Sequence, residues 1–230
     1  MTFVEPFEGE RAARYDHFIK RWCPGYEWLH ELIPSVLATC LASQPVSRIL
    51  VAGCGTGTEM EYMLKLRQDW HLTGVDPSPE MTSQAATRLA PFLSSSYEVI
   101  TGLVEDLAVE QKFDAATLLL VLHFLPENGA KQNLLQSLSQ RLHTGAPLII
   151  LDMFGDSETM KFQLQLLKGW LLEKGVKPNV VESGSTYILE NFHYIPEERL
   201  FALLHEAGFT PICRFTQSLM YGGWIALKQE

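Results

Sequence analysis

The stretch that most restricts this chain is Ile49-Leu50-Val51-Ala52-Gly53-Cys54-Gly55-Thr56-Gly57-Thr58, an aliphatic run that enters a glycine-rich turn and continues into a helical pattern. Gly53 and Gly55 let the backbone approach a ligand closely, and the start of the following helix offers unpaired N–H groups. The spacing is G-x-G-x-G. A dinucleotide fingerprint asks for its third glycine at position 58, which is Thr58, so the pattern turns away from a nicotinamide cofactor. Taken alone the turn also reads as a tight strand-to-helix connection with no ligand. Asp76 strengthens the binding reading, because it ends the next strand in Leu72-Thr73-Gly74-Val75-Asp76, where a carboxylate can accept both hydroxyls of a ribose. Its alternative role is to cap the helix that Ser78-Pro79 begins.

Around this unit, short aliphatic runs at 48–52, 71–76, 97–101, 113–122 and 148–152 alternate with amphipathic stretches at 59–68, 79–92 and 129–142. That alternation predicts βαβ units and a parallel sheet. Further on, 157–174 reads as a long helix, 176–193 as irregular, and 196–207 as a helix stopped by Gly208. The runs 210–216 and 219–228 have no helix between them and are expected to pair as an antiparallel hairpin. Helices at 10–20 and 27–41, split by Pro24-Gly25, precede the sheet. No repeat or linker divides the 230 residues. The expectation is one domain over 1–230, with 1–44 as a helical lid or flank and 155–195 as a substrate-side insertion.

Composition narrows the function. An apolar fraction of 47% and a charged fraction of 20% suit a packed globular core. A net charge of −9 repels phosphate backbones and disfavours nucleic acid as a partner. The start lacks the basic flank of a secretory signal, and the apolar run at 115–122 falls short of the roughly 18 residues of a membrane helix. A cytoplasmic protein is expected. Cys23, Cys40, Cys54 and Cys213 form no C-x-x-C pair, so reduced thiols and no structural zinc are expected. Glu5, Glu8 and Glu10 read as a solvated acidic start, since no histidine completes a metal-ligand set.

The segments 51–57, 74–81 (Gly-Val-Asp-Pro-Ser-Pro-Glu-Met), 102–107, Phe113-Asp114, and 141–146 ahead of 148–152 resemble, in this order, the motifs of the class I S-adenosylmethionine-dependent methyltransferases. The resemblance implies an α/β fold, a doubly wound Rossmann-like seven-stranded sheet, mostly parallel with an antiparallel last strand. It also implies S-adenosylmethionine as cofactor and a small-molecule acceptor. Within the family the chain is most similar to the carboxy-S-adenosylmethionine synthase branch, through Phe7, Ala12, Ile19, Arg21, Pro24-Gly25-Tyr26, Leu189-Glu190-Asn191, 205–209 and 223–228. By that resemblance Tyr26 reaches the cofactor, Gly53, Cys54 and Gly55 hold its methionyl part, Asp76-Pro77 its ribose and adenine, and Leu103-Val104 the adenine. The chain also departs from the branch. The arginine that holds the extra carboxylate maps to Ser185 or Thr186, an asparagine maps to Leu119, an acidic residue to Leu103, and the acidic residue of the first strand to Val51. These departures favour the ordinary methyl donor; a carboxylated one would need another cation, such as Arg199. A carboxy-S-adenosylmethionine synthase and a non-catalytic S-adenosylmethionine-binding module are the alternatives.

Methyl transfer from a sulfonium depends on positioning and water exclusion more than on a dedicated base. Where the acceptor must lose a proton, His123 after the fourth strand is the candidate base, with a core or capping histidine as its alternative; His193-Tyr194 and Tyr187 follow it. Trp22, Tyr26 and Trp28 form a candidate cluster to close over the cofactor. Phe162, Leu164, Leu167, Trp170 and Leu171 have helical spacing and read as a substrate pocket, a homodimer face or core.

Overall fold

The computed structural model describes residues 7–42 and 47–230; Glu5 and part of the predicted 1–44 flank lie outside them. Helix α1 (Gly9–Trp22) and helix α2 (Tyr26–Cys40) are separated by a turn in which Gly25 adopts φ +87°. There follow β1 (Ser47–Ala52), α3 (Thr58–Leu66), β2 (Trp70–Asp76), α4 (Pro79–Leu89), β3 (Tyr97–Thr101), β4 (Ala115–Leu119), α5 (Ala130–Gln140) and β5 (Pro147–Met153). The chain ends with α6 (Ser157–Glu173), α7 (Pro178–Asn191), α8 (Glu197–Glu206), β6 (Phe209–Ser218) and β7 (Tyr221–Lys228).

The seven strands form one sheet in the order β3-β2-β1-β4-β5-β7-β6, parallel except for β7, which runs antiparallel to both its neighbours. β1 is the pivot. Its aliphatic residues are buried on both faces, as a central parallel strand requires. Ile49 and Val51 pack on the side of α2 and α6, Leu50 and Ala52 on the side of α5 and α8. The chain leaves β1 toward β2 and returns to β4 on the other side. That reversal opens a crevice at the carboxyl ends of the strands, where ligands of such sheets bind.

Two expectations change. The strand predicted over 113–122 is confined to Ala115–Leu119, because Leu120 takes φ +59° and Leu122–Phe124 coil into a single 3₁₀ turn. The segment 176–193 is not irregular but carries α7, begun by Pro178, with Val181, Ser185 and Ile188 inward. Packing decides this helix. A Cβ on Gly184 would stand 2.3 Å from the Trp22 indole, so glycine admits the ring that anchors α7 to α1.

Candidate functional site

A cavity of about 340 Å³ fills the crevice between β1 and β4. Its floor is the glycine turn. Gly53 adopts φ +70°, and a Cβ there would meet Val121 Cγ2 at 2.4 Å; Gly55 adopts φ +52° with no neighbour within 4 Å of its Cβ position, so its face is open. Asp76 ends β2 beside it. The buried carboxylate accepts the Gly55 N–H through Oδ2 at 2.9 Å and the Ser78 N–H through Oδ1 at 2.9 Å. Burial raises its pKa, and the two N–H groups oppose that shift. Asp76 thus bridges the glycine turn and the segment that leads into α4. It shapes the turn and steadies the start of α4, while the N-cap itself is the Ser78 hydroxyl, which accepts from Met81 N–H at 3.2 Å.

Pro77, Leu103, Val104 and Leu119 also line the cavity, Leu103 held by its N–H bond to Asp106 Oδ2 at 2.8 Å. Tyr26 and Cys54 do not. Tyr26 packs on the His30 ring, with centroids 4.2 Å apart, and Cys54 lies beneath the turn against Gly74, where burial pushes its thiol far above the usual range. Nor do the three predicted aromatics gather: Trp22 stacks on Phe18 at 5.1 Å, and Trp28 is 53% exposed. The rings over the cavity are instead Phe7, Tyr15 and Phe124, with Phe7 edge-on to Tyr15 at 5.5 Å and to Phe124 at 5.2 Å. Sequence reasoning missed Tyr15, although it shares a helical face with Ile19 and Trp22. It also missed the far wall, the α5 face of Asn133, Leu134 and Ser137.

His123 stands behind this wall. It is buried, bonds Asp152 through Nδ1 at 2.7 Å, and packs on Phe124 and Phe192 at 4.1 and 4.6 Å. Asp152 further accepts the N–H groups of Val121, Leu122, His123 and Met153. The pair therefore fixes the bend after β4. Of the secondary candidates, His193 bonds its N–H to the His123 carbonyl, and Tyr187 packs on Phe192. Ser185 is buried with its hydroxyl on the Val181 carbonyl, and Thr186 is exposed. Arg199 pairs with Glu127 at 2.7 Å and Glu206 at 3.7 Å and does not line the cavity. In α6, Leu164, Leu167 and Leu171 are core and Phe162 is 61% exposed; none lines the cavity. Among the described residues the lining contains Asp76 and Glu105 but no Lys, Arg or His, and no group of His, Cys, Asp or Glu could hold a metal ion. Among them, too, no helix is long and apolar enough to cross a membrane.

In the first turn of α3 lies Glu59, buried, its Oε1 without a hydrogen-bond partner and its carboxyl pushed up to about 7 by burial against the lowering influence of Thr117. The folded chain thus holds this proton more tightly than the unfolded chain, whose carboxyl titrates near 4.5. Its contribution to stability is complete below pH 4.5 and is lost as pH rises through 7. Glu59→Gln should stabilise the protein by about 2 to 3 kcal/mol at pH 8.5 and leave it nearly unchanged at pH 4.5, read by denaturant melts at both pH values.

Residues 50–148 match the methyltransferase domain family. Over 97% of its length the chain is 25% identical to a carboxy-S-adenosyl-L-methionine synthase of Trichodesmium erythraeum, covering 88% of that protein. Its fold is similar to that of the magnesium protoporphyrin IX methyltransferase of Synechocystis, solved with bound S-adenosylhomocysteine, at a TM-score of 0.71 and 16% identity over 97% of this chain and 96% of that one. A plantazolicin methyltransferase, in complex with the same ligand, superimposes with a TM-score of 0.69 and 18% identity over 96% and 91% of the two chains.

Proposed function

We propose that this chain is a class I S-adenosylmethionine-dependent methyltransferase and transfers the methyl group of S-adenosylmethionine to a small-molecule acceptor, a reading supported by the methyltransferase-domain match over residues 50–148. The observation that carries the reading is Asp76, whose carboxylate at the tip of β2 stands beside the open face of Gly55 in a cavity of about 340 Å³, at the lower end of the ~300–1,000 Å³ typical of small-ligand sites. In this reading the carboxylate takes the ribose hydroxyls, the backbone at Gly53 and Gly55 faces the methionyl part, and Pro77, Leu103, Val104 and Leu119 enclose the adenine. The bound cofactor supplies an electrophilic methyl group on a sulfonium. Asp76 and Glu105 complement that positive charge, and Phe7, Tyr15 and Phe124 keep water away and leave an apolar approach for the acceptor. His123, held by Asp152 outside the wall, acts by positioning Phe124 and Val121. A net charge of −9 argues against a nucleic-acid acceptor, and four free cysteines suit the cytoplasm.

The second reading is a carboxy-S-adenosylmethionine synthase, the activity named for the Trichodesmium relative. It needs a cation for the extra carboxylate. Ser185 and Thr186 supply none, Arg199 is engaged with Glu127 and Glu206, and no described lining residue is basic. Mass spectrometry of the ligand released from purified protein separates the two. The ordinary donor or its demethylated product is expected, together with label transfer from methyl-labelled donor to small acceptors; a donor heavier by the mass of carbon dioxide would establish the second reading.

A further inference from the structure

Helix α1 is fastened to the glycine turn through one carboxylate. Asp16 Oδ1 accepts the Thr56 hydroxyl at 2.6 Å, and Oδ2 accepts from the Arg88 guanidinium of α4. Arg88 in turn donates Nε to the Thr56 carbonyl at 2.8 Å and Nη1 to Glu61 Oε2 of α3 at 3.0 Å. Thr56 is therefore gripped at both its side chain and its carbonyl. It lies between two glycines with positive φ, a backbone that loses much freedom on folding and does not hold its own shape. The same turn bonds Asp76 through the Gly55 N–H.

The other end of the tie reaches the rings over the cavity. Tyr15, the neighbour of Asp16 in α1, lines the cavity with Phe7. The Ser78 hydroxyl donates to the Phe7 carbonyl at 2.6 Å, and Gln84 Nε2 donates to the Ala12 carbonyl at 3.2 Å. The tethers that leave the α1 segment, at Asp16, Phe7 and Ala12, all run to the glycine turn or to α4 and its cap. The Asp16–Arg88 pair is about two-thirds shielded from solvent, at 31% and 28% side-chain exposure, so it is less screened than a surface pair.

We propose that Asp16 is a positioning residue which, through Thr56 and Arg88, makes the ordering of α1 and the shape of the glycine turn one equilibrium, so that filling the cavity also lays Phe7 and Tyr15 across it. The proposal rests on the reading of the cavity as the S-adenosylmethionine site. Coupling of this kind is reciprocal: a ligand that steadies the turn steadies α1, and loosening α1 weakens the ligand.

The test uses the full chain, S-adenosylhomocysteine calorimetry and hydrogen exchange. Thr56→Val removes the hydroxyl at nearly constant volume, Thr56→Ser keeps it, and Asp16→Ala removes its partner. Thr56→Val and Asp16→Ala should each weaken binding roughly tenfold, within the span of typical coupling energies, while Thr56→Ser binds as the unaltered protein does. The double variant should be no weaker than the weaker single one, because both remove the same link. Amides of α1 should gain protection with ligand in the unaltered protein and not in Thr56→Val. Should Thr56→Val fail to fold, Asp16→Asn, which keeps one oxygen acceptor and turns the other into an N–H donor that can no longer accept from its partner, takes its place with the same expected direction. Folded variants that bind within twofold of the unaltered protein, or losses that multiply in the double variant, would overturn the proposal. A folded, unaltered protein that takes up no S-adenosylhomocysteine would instead overturn the cofactor reading, and the proposal with it.

Discussion

Asp76→Ala is expected to weaken S-adenosylhomocysteine binding by about 3 kcal/mol, roughly a hundredfold. Two losses combine. The ribose hydroxyls lose a charged acceptor, and hydrogen bonds to charged groups contribute about 1.5 to 3 kcal/mol each. The Gly55 and Ser78 N–H groups lose the acceptor that sets the turn and the start of α4, so the remaining cavity is also less well formed. Asp76→Asn keeps one oxygen acceptor and should fall between the two. Calorimetry on variants whose thermal unfolding stays cooperative reads the effect. Unchanged affinity in a folded Asp76→Ala protein would remove Asp76 from the site.

Lys131→Met is expected to destabilise the fold by about 3 kcal/mol or more. Lys131 is 1% exposed and sits in α5, where its ammonium donates to the carbonyls of Leu122 at 2.6 Å, His193 at 2.7 Å, and Leu125. Burial pulls its pKa down to about 8, against the influence of Asp152 and Glu127. Methionine fills the hydrocarbon path but leaves the three carbonyls without that donor, and an unsatisfied buried polar group costs about 1 to 3 kcal/mol. Leu125 lines the cavity, so ligand affinity should fall along with stability. Denaturant unfolding at pH 7 measures the first effect and S-adenosylhomocysteine calorimetry the second. A midpoint shift worth less than about 1 kcal/mol would show that the carbonyls find other donors.

The parallel sheet and the glycine turn were legible because their determinants are local. Consecutive aliphatic residues make a buried strand, and the glycines of 53–57 and the acid at 76 follow one another within a single βαβ unit. Legibility ended where distant segments decide the outcome. Leu120 and Val121 continue the aliphatic run of β4, yet Leu120 turns to φ +59° and the Asp152 carboxylate gathers the N–H groups of Val121 and Leu122. Ser183-Gly184-Ser185-Thr186 has poor helix propensity, and α7 forms over it with Trp22 packed on Gly184. The partner of His123 is 29 residues away on β5, a distance over which sequence spacing carries no information. For the same reason Tyr26, expected at the cofactor by resemblance, turns onto His30, and Tyr15 of α1 takes the place beside the cavity.

The most direct measurement of the central claim is a crystal structure of the protein with S-adenosylhomocysteine. Density is expected in the cavity between β1 and β4, with the ribose hydroxyls within hydrogen-bond distance of Asp76, the methionyl part over Gly53 and Gly55, and the adenine beside Leu103 and Val104. Ligand density elsewhere, or a cavity that stays empty at saturating ligand, would contradict it.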